Sequence, residues 1–322
     1  MAALTDPHAP AVVDLRQIRS ADLDDLLAEE IATWRSTLDW DFEPSAALVR
    51  RFLDMEALSG CALLVGGRVT GYSYFVAEER KGLIGDLYVM EEFATPETES
   101  HLLSTALDEM LKSPFVHRIE SQLMMLRHGA RIPLPYWRYL KVHARTFLEI
   151  ELHRIKALPP GPAAKLVTID NWSERKQDEA AQLIASSYQG HIDSEINDQY
   201  RSPAGARRFL MNIVQYPGCG AFFQPASYVA VDPRSGLLCG ICLSSLVADD
   251  VGHITQVCVS KAARHRGIGY ELLRRSLEAL ARNHCKRASL TVTAANRRAI
   301  EIYEQMGFTM RRGFAAYVWD GF

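Results

Sequence analysis

Apolar residues recur at helical spacing in some stretches and alternate with polar ones in others, and the two periods divide the chain into helices and strands. In the first half, Asp22 to Trp34 and Ala46 to Met55 read as helices. Cys61 to Val65 and Arg68 to Val76 read as a hairpin around Gly66-Gly67, Gly82 to Met90 as a further strand, and His101 to Leu111 as a helix. In the second half, Lys165 to Ile169 predicts a strand, and Glu174 to Gln189 and Ala204 to Val214 predict helices. Strands follow near Ser227 to Val231, Leu237 to Val247 and His253 to Val259. Ile268, Leu272, Leu273, Leu277 and Leu280 then mark one face of a helix from Ile268 to Arg282, and Leu290 and Val292 alternate in a strand from Ser289 to Thr293.

The order of elements is alike in the two halves: helices, short strands, a helix, more strands. Leu158-Pro-Pro-Gly-Pro-Ala-Ala164 interrupts the pattern and favours an extended connector. The expectation is an α/β (α+β) chain of two tandem domains, residues 1–157 and 165–322, joined by a linker at 158–164.

With 322 residues, 48% of them apolar, the chain is long enough for two ordinary cores. A net charge of -3 provides no broad basic field for nucleic acid or an anionic membrane, so an anionic ligand has to be held locally. Cys61, Cys219, Cys239, Cys242, Cys258 and Cys285 are scattered, as reduced thiols of a cytosolic protein are. Cys239-Gly-Ile-Cys242 has no second CxxC and lies in a strand, where residues three apart face opposite sides; buried thiols are expected there, and no metal. Met1 to Ile18 lacks a basic start followed by an apolar core, and no run approaches the ~20 apolar residues of a membrane span. A cytoplasmic protein without membrane or nucleic-acid partners is expected.

Local anion binding has a clear candidate. After the strand ending at Val259 comes Ser260-Lys-Ala-Ala-Arg264-His-Arg-Gly267-Ile-Gly269, a basic loop that runs directly into the amphipathic helix. Free N–H groups of a helix's first turn, at the positive end of its dipole, face whatever lies before them. Gly267 and Gly269 let oxygen atoms approach the backbone, and Arg264 and Arg266 add charge. Downstream stands Asn296-Arg-Arg-Ala299-Ile-Glu-Ile-Tyr303-Glu-Gln-Met-Gly307-Phe308, with Asn296 a natural N-cap, Ala299, Tyr303 and Met306 on one face, and Gly307 at the C-terminal turn.

These two segments resemble the GNAT superfamily of acetyl-coenzyme A dependent N-acetyltransferases. The pattern R/Q-x-x-G-x-G/A is matched at Arg264, Gly267 and Gly269, and N-x-x-A-x-x-x-Y-x-x-x-G-F at Asn296, Ala299, Tyr303, Gly307 and Phe308. The likeness covers about Lys165 to Phe322. It implies that each domain is a mixed, mostly antiparallel sheet flanked by helices. Amides of Arg264, His265, Arg266, Gly267, Ile268 and Gly269 would hold the pyrophosphate of acetyl-CoA. Those of Val257 and Val259 would meet the pantetheine arm and the thioester oxygen, and Asn296 the pantetheine or nucleotide part.

By the same resemblance Tyr303 is the general acid that protonates the departing thiolate. His253, eleven residues ahead of Arg264, stands where some relatives carry a glutamate base; an imidazole of ordinary pKa ~6.5 accepts a proton at pH 7. Asp249 and Asp250 are weaker candidates in a turn. Direct attack by a primary amine of a small molecule or peptide is expected, in a ternary complex and without a metal. Cys258 alternates with Val257 and Val259 and so faces the other side of its strand. A different class of function, a non-catalytic acyl-CoA sensor or interaction protein, shares the loop but lacks turnover.

Registering Leu87-Tyr88-Val89 on Val257-Cys258-Val259 puts Glu97 and Glu99 where the loop glycines stand, with Pro96 just before them and Ala94 in place of the arginine. Carboxylates there repel a pyrophosphate, so the first half is expected to be a degenerate GNAT repeat without cofactor. Such two-repeat chains are similar in architecture to mycothiol synthases. Arg131-Ile-Pro-Leu-Pro-Tyr-Trp-Arg-Tyr139 is an aromatic and basic run, expected to be a packed loop rather than a ligand surface.

Overall fold

In the computed structural model, residues 10–78, 80–129, 134–216, 218 and 220–322 are described. Two units emerge: one runs to His143 and takes back Phe314–Phe322, and the other is Ala144–Gly313.

In the first unit, Ala11–Asp14 (β1) is followed by two helices, Asp24–Leu38 (α1) and Glu43–Asp54 (α2). Gly66 and Gly67, both at positive φ, make the tight turn between Gly60–Val65 (β2) and Arg68–Glu78 (β3). Lys81–Val89 (β4) leads to Pro96–Leu111 (α3), which Thr95 caps through the Thr98 amide, and to Arg118–Gln122 (β5). The sheet order is β1-β2-β3-β4-β5, and β5 is covered by Ala316–Asp320, the end of the chain's last strand. Leu102, Leu103, Ala106, Leu107 and Met110 of α3 bury against Leu63, Ile84, Leu87 and Ile119.

Two of this unit's buried acids, Glu30 and Asp86, act on each other. Glu30 of α1 accepts hydrogen bonds from Tyr72 Oη at 2.9 Å and Trp34 Nε1 at 3.2 Å, and Asp86 accepts from the Leu87 amide at 2.8 Å. Burial, then the charge of Asp86, holds Glu30 well above the usual carboxylate range, and burial raises Asp86 too. The unfolded chain ionises first, near ~4.3 for glutamate, so the folded state binds the extra proton above that pH. Stability is therefore complete below the ordinary range and is lost as pH rises towards Glu30's raised value. Glu30→Gln is expected to reduce this slope: above the ordinary carboxylate range the denaturation midpoint falls less steeply with pH in the variant than in the wild type, Asp86 supplying what remains. Equal slopes would place the fall elsewhere.

The second unit opens with the Ala144–Glu151 part of Leu140–Glu151 (β6). Thr168–Asn171 (β7), Gln177–Tyr188 (α4), Asp193–Ile196 (α5) and Pro203–Gln215 (α6) follow, then Ala221–Phe222 (β8), Tyr228–Val231 (β9), Leu238–Ala248 (β10) and Val251–Val259 (β11). Ile268–Arg282 (α7), Arg287–Thr293 (β12) and Arg297–Gln305 (α8) precede the last strand, Thr309–Asp320 (β13). The sheet runs β6-β12-β11-β10-β9-β7, with β8 beside β10, and only β11 and β12 are parallel. On one face Leu183 and Ile184 of α4 and Leu210 of α6 meet Ile241 and Leu243. On the other, Leu272, Leu273, Leu277 and Leu280 of α7 bury against Ile254, Ala288 and Leu290, the stripe that the sequence pattern predicts.

Three features differ from the sequence reading. Residues 158–164, read as a linker between domains, fall inside the second unit: the Gly161 amide donates to Glu271 Oε2 at 2.9 Å, Tyr270 Oη to the Pro159 carbonyl at 2.8 Å, and Ala163 is buried. Burial alone would raise the Glu271 carboxyl, but Arg274, Arg275 and that amide outweigh it and bring it down to about 2. Strands β1, β5, β6, β8 and β13 have no counterpart in the pattern. Cys239 and Cys242 do not face opposite sides: a register shift between Leu238 and Gly240 breaks the alternation, and both thiols enter the cluster beneath α7.

The described cysteines are free and buried; Cys219 and residues 131–133 of the aromatic run lie outside the described residues. Tyr136, Trp137 and Tyr139 of that run are exposed rather than packed away. No helix among the described residues is long and apolar enough to cross a membrane.

Candidate active site

Strands β11 and β12 pair from Val251↔Arg287 to Ile254↔Leu290 and then part, while β12 stays paired with β6 as far as Thr293↔Arg145. A register shift at Leu243/Ser244 leaves Thr255 bulged at the point of parting. Beyond it, one edge of β11 is open. Ser260 N–H donates to the Cys239 carbonyl of β10, so by antiparallel alternation Cys258 N–H also points to β10. The N–H groups of Val257 and Val259 then point into the opening.

At the end of β11, Ser260 starts the loop, and two left-handed residues, His265 at φ 68° and Gly267 at φ 76°, turn it into α7. A side chain at Gly267 would be strained by that conformation, and its Cβ would stand 3.3 Å from Pro162 Cγ. Helix α7 has no side-chain cap, and its first intrahelical bond is Glu271 N–H to Gly267 O at 3.0 Å. The amides of Ile268, Gly269 and Tyr270 therefore have no partner within the helix and, with its dipole, make an anion seat. At Gly269 an added Cβ would meet only Val259 Cγ2, at 3.5 Å.

The opening and the helix start border one cavity of about 580 Å³, within the range of small-molecule sites. Val257, Val259, Arg264, His265, Gly267, Ile268, Gly269, Asn296 and Tyr303 line it. Two candidates do not. Arg266 is exposed and absent from the lining. His253 is buried, its Nδ1 2.8 Å from Ser289 Oγ and its ring stacked on Phe147; burial pushes the imidazole down to about 3. The strand position that suggested a base thus turns its side chain into packing between strands, where taking up a proton is costly.

Arg264 has a structural task. Its Nη2 donates to the Ser187 carbonyl at 2.9 Å and its Nε to the Val259 carbonyl at 3.3 Å, tying the end of α4 to the end of β11. Lys261 Nζ adds a bond to the Gln189 carbonyl at 2.9 Å. Asn296 caps α8, its side chain accepting from the Ala299 amide at 3.4 Å, and Gly307 ends that helix at φ 98°. Tyr303 packs at 5.9 Å from Phe308, and burial, then nearby charge including Asp193, raises its phenol above the ordinary value while Arg145 opposes. The Cys258 side chain belongs to the core on the α4 side, and burial pushes its thiol up to about 12, which keeps it unreactive.

The polar lining residues Ser187, Tyr188 and His191 were not among the sequence candidates, and Arg298 lines the cavity beside them. Arg298 donates to the His265 ring across the mouth of the cavity. Tyr188 stacks on Tyr200 at 4.5 Å and receives a bond from Gln256 Nε2 at 2.9 Å. The run Tyr188-Gln189-Gly190-His191 at a helix end, with Gly190 at φ 74°, is the local signal that would have pointed to them.

The first unit repeats the opening without the seat. Strands β4 and β5 pair only from Lys81↔Arg118 to Ile84↔Ser121, and a register shift sets a bulge at Gly85. Glu99, at the position of Gly269, is buried; its carboxylate accepts from the amides of Arg127 at 2.9 Å and His128 at 2.8 Å. A buried carboxylate thus stands where the second unit has a glycine.

Residues 192–308 match the model of the acetyltransferase (GNAT) family. N-alpha-acetyltransferase 30 of Saccharomyces cerevisiae is 28% identical over 138 residues, covering 40% of this chain and 72% of that protein. A GCN5-related N-acetyltransferase from Sphaerobacter thermophilus superposes with a TM-score of 0.67 at 17% identity, covering 99% of this chain and 97% of the other. A tandem GNAT protein from the clavulanic acid biosynthesis pathway gives 0.60 at 16% identity, with 97% and 98% covered. The parted strands, the glycine-led helix and the segment that matches the acetyltransferase (GNAT) family model all lie in the second unit.

Proposed function

We propose that the second unit transfers an acetyl group from acetyl-CoA to a primary amine, by direct attack in a ternary complex. The observation that carries this is the continuity of the cavity from the uncapped start of α7 to the open edge of β11. The residues suit the ligand: Gly269 leaves room for it, and the free amides of Ile268 and Gly269 are donors of the kind a pyrophosphate takes. Acetyl-CoA, when bound, supplies an activated acyl thioester.

The N–H groups of Val257 and Val259 stabilise the charge that builds up on the thioester oxygen, a contribution of ~3 to 4 kcal/mol per donor where it has been measured. Tyr303 keeps its proton through the neutral range and gives it to the leaving thiolate. Asn296, His265 and Arg298 line the outer part, where they orient the cofactor. We assign His253 to the packing of β11 on β12 and not to proton transfer.

The likeness to an N-alpha-acetyltransferase supports peptide amino termini among the acceptors. A screen of peptide termini, amino acids, polyamines and aminoglycosides, following release of the coenzyme A thiol, tests the reading. Amine-dependent release with at least one acceptor is expected. Tight binding of acetyl-CoA with no release for any amine would make the chain an acyl-CoA sensor instead.

A further inference from the structure

His191, in the short turn between α4 and α5, lines the cavity, as does Asn296 at the start of α8. Gly190, at φ 74°, reverses the chain ahead of it. The His191 amide donates to the Tyr188 carbonyl at 2.9 Å, and its ring stands edge-on to Tyr188 at 5.2 Å.

The hydrogens on both side chains follow from their other partners. The Asp193 amide donates to His191 Nδ1 at 3.2 Å, so Nδ1 carries the lone pair. Asp193 Oδ2, 3.6 Å from the same nitrogen, is beyond hydrogen-bond reach. A neutral imidazole has one donor and one acceptor nitrogen, which puts the hydrogen on Nε2. The Ala299 amide donates to Asn296 Oδ1 at 3.4 Å, so Oδ1 is the cap of α8 and Nδ2, a donor only, forms the other corner of the side-chain amide. His191 Nε2 and Asn296 Nδ2 then meet at 3.5 Å, donor against donor. Neither can satisfy the other. One oxygen about 2.9 Å from each, the ordinary N–H···O length, would accept from both.

Asp193, whose amide sets the tautomer, is itself fixed: Arg145 Nη1 lies 3.3 Å from its Oδ1, and the Thr293 hydroxyl donates to the same oxygen. The donor pair is therefore oriented in advance, which lessens the ordering that binding requires. Its chemistry is selective. Both donors are uncharged, and the Asp193 carboxylate stands behind the ring, so the pair suits a neutral oxygen better than a phosphate or carboxylate. An amide carbonyl is such an oxygen. The pantetheine arm of coenzyme A carries amide carbonyls, and so does a peptide acceptor.

We propose that His191 is a ligand-binding residue of the cavity, its Nε2–H and Asn296 Nδ2–H together holding one amide carbonyl oxygen of the cofactor or of the acceptor. Asp193 is its positioning residue. The identity of the ligands rests on the acetyl-transfer reading above, and no bond is made or broken at this seat.

The test uses the full chain, with coenzyme A in calorimetry and the best acceptor of the amine screen in steady-state kinetics. His191→Phe keeps a ring against Tyr188 and removes the donor, whereas His191→Gln keeps an N–H donor near the place of Nε2. If the oxygen is the cofactor's, His191→Phe weakens coenzyme A binding about tenfold and His191→Gln less than about threefold. If it is the acceptor's, coenzyme A affinity holds and the acceptor's KM rises about tenfold in His191→Phe, with kcat little changed. Asn296→Asp, which keeps the helix cap but turns the second donor into an acceptor, should weaken the same ligand. Independently of turnover, 15N shifts of the His191 ring should report hydrogen on Nε2, and the Nε2 shift should move when coenzyme A or the acceptor is added. Hydrogen found on Nδ1, or coenzyme A affinity and acceptor KM both unchanged in His191→Phe, would overturn the assignment. Failure of every amine in the wild type would remove the acetyl-transfer reading alone, and coenzyme A calorimetry on His191→Phe would then decide the seat by itself.

Discussion

Gly269→Glu is expected to abolish coenzyme A binding while leaving the fold intact. A Cβ at 269 meets only Val259 Cγ2 at ordinary contact distance, so the backbone has no reason to move. An acidic residue in the first turn of α7 also suits the helix dipole, and losing a helical glycine is favourable by about 0.5 to 1 kcal/mol. The melting temperature should therefore stay within a few degrees. The carboxylate, however, would stand in front of amides meant for a pyrophosphate and bring like charge to the seat. A loss of affinity of about 100-fold or more is expected by calorimetry. The first unit already contains the natural form of this substitution: Glu99 occupies the corresponding place and satisfies the amides of Arg127 and His128 itself. Wild-type affinity in Gly269→Glu would remove the start of α7 from the binding site.

Tyr303→Phe is the second large effect. Removing one hydroxyl leaves the ring packed near Phe308 and leaves the amides of β11 and α7 untouched. Coenzyme A affinity should change less than about twofold, while kcat falls by about 10² to 10³, the usual worth of a positioned proton donor. Because burial raises the phenol above its ordinary value, the hydroxyl stays protonated through the neutral range, and the wild type should show no alkaline limb from it below about pH 10. A kcat equal to wild type would show that the thiolate takes its proton from water or another group. A loss confined to affinity would make Tyr303 a binding residue only.

Helices with a continuous apolar stripe were legible in the sequence. Ile268 to Arg282 has the bounds that its periodicity predicts, because five large aliphatic side chains on one face leave a single way to bury it. Strands whose buried positions are polar were not. Strand β5 reads Arg-Ile-Glu-Ser-Gln, and its Arg118 and Glu120 are buried as a pair at 2.6 Å, so alternation of polar and apolar residues does not reveal it. The paired glycines and the Asn296 to Phe308 segment identified the ligand seat because turns and caps are written in local residue types. Arg264 shows the limit: its charge is readable in the loop, but its two bonds to Ser187 and Val259 carbonyls depend on where α4 ends, 77 residues away for Ser187. His253 shows another, since strand position places a side chain on a face without saying whether that face opens on a cavity. His191 meets Asp193 two residues on, but it meets Asn296 only through the fold, a contact that no local pattern reveals.

The closing of β5 by Ala316–Asp320 bears on how the chain is made. Arg118 of β5 bonds to Asp320, 202 residues further on. A ribosome delivers the first unit's helices and its strands β1 to β5 early, yet the partner for β5 emerges only about 200 residues later. Until then that edge is unpaired, with its backbone donors and acceptors exposed to other nascent chains. The first unit thus cannot finish folding ahead of the second, and a fragment cut at residue 157 would lack the strand that completes its sheet. For this protein, order of synthesis and order of completion run in opposite directions.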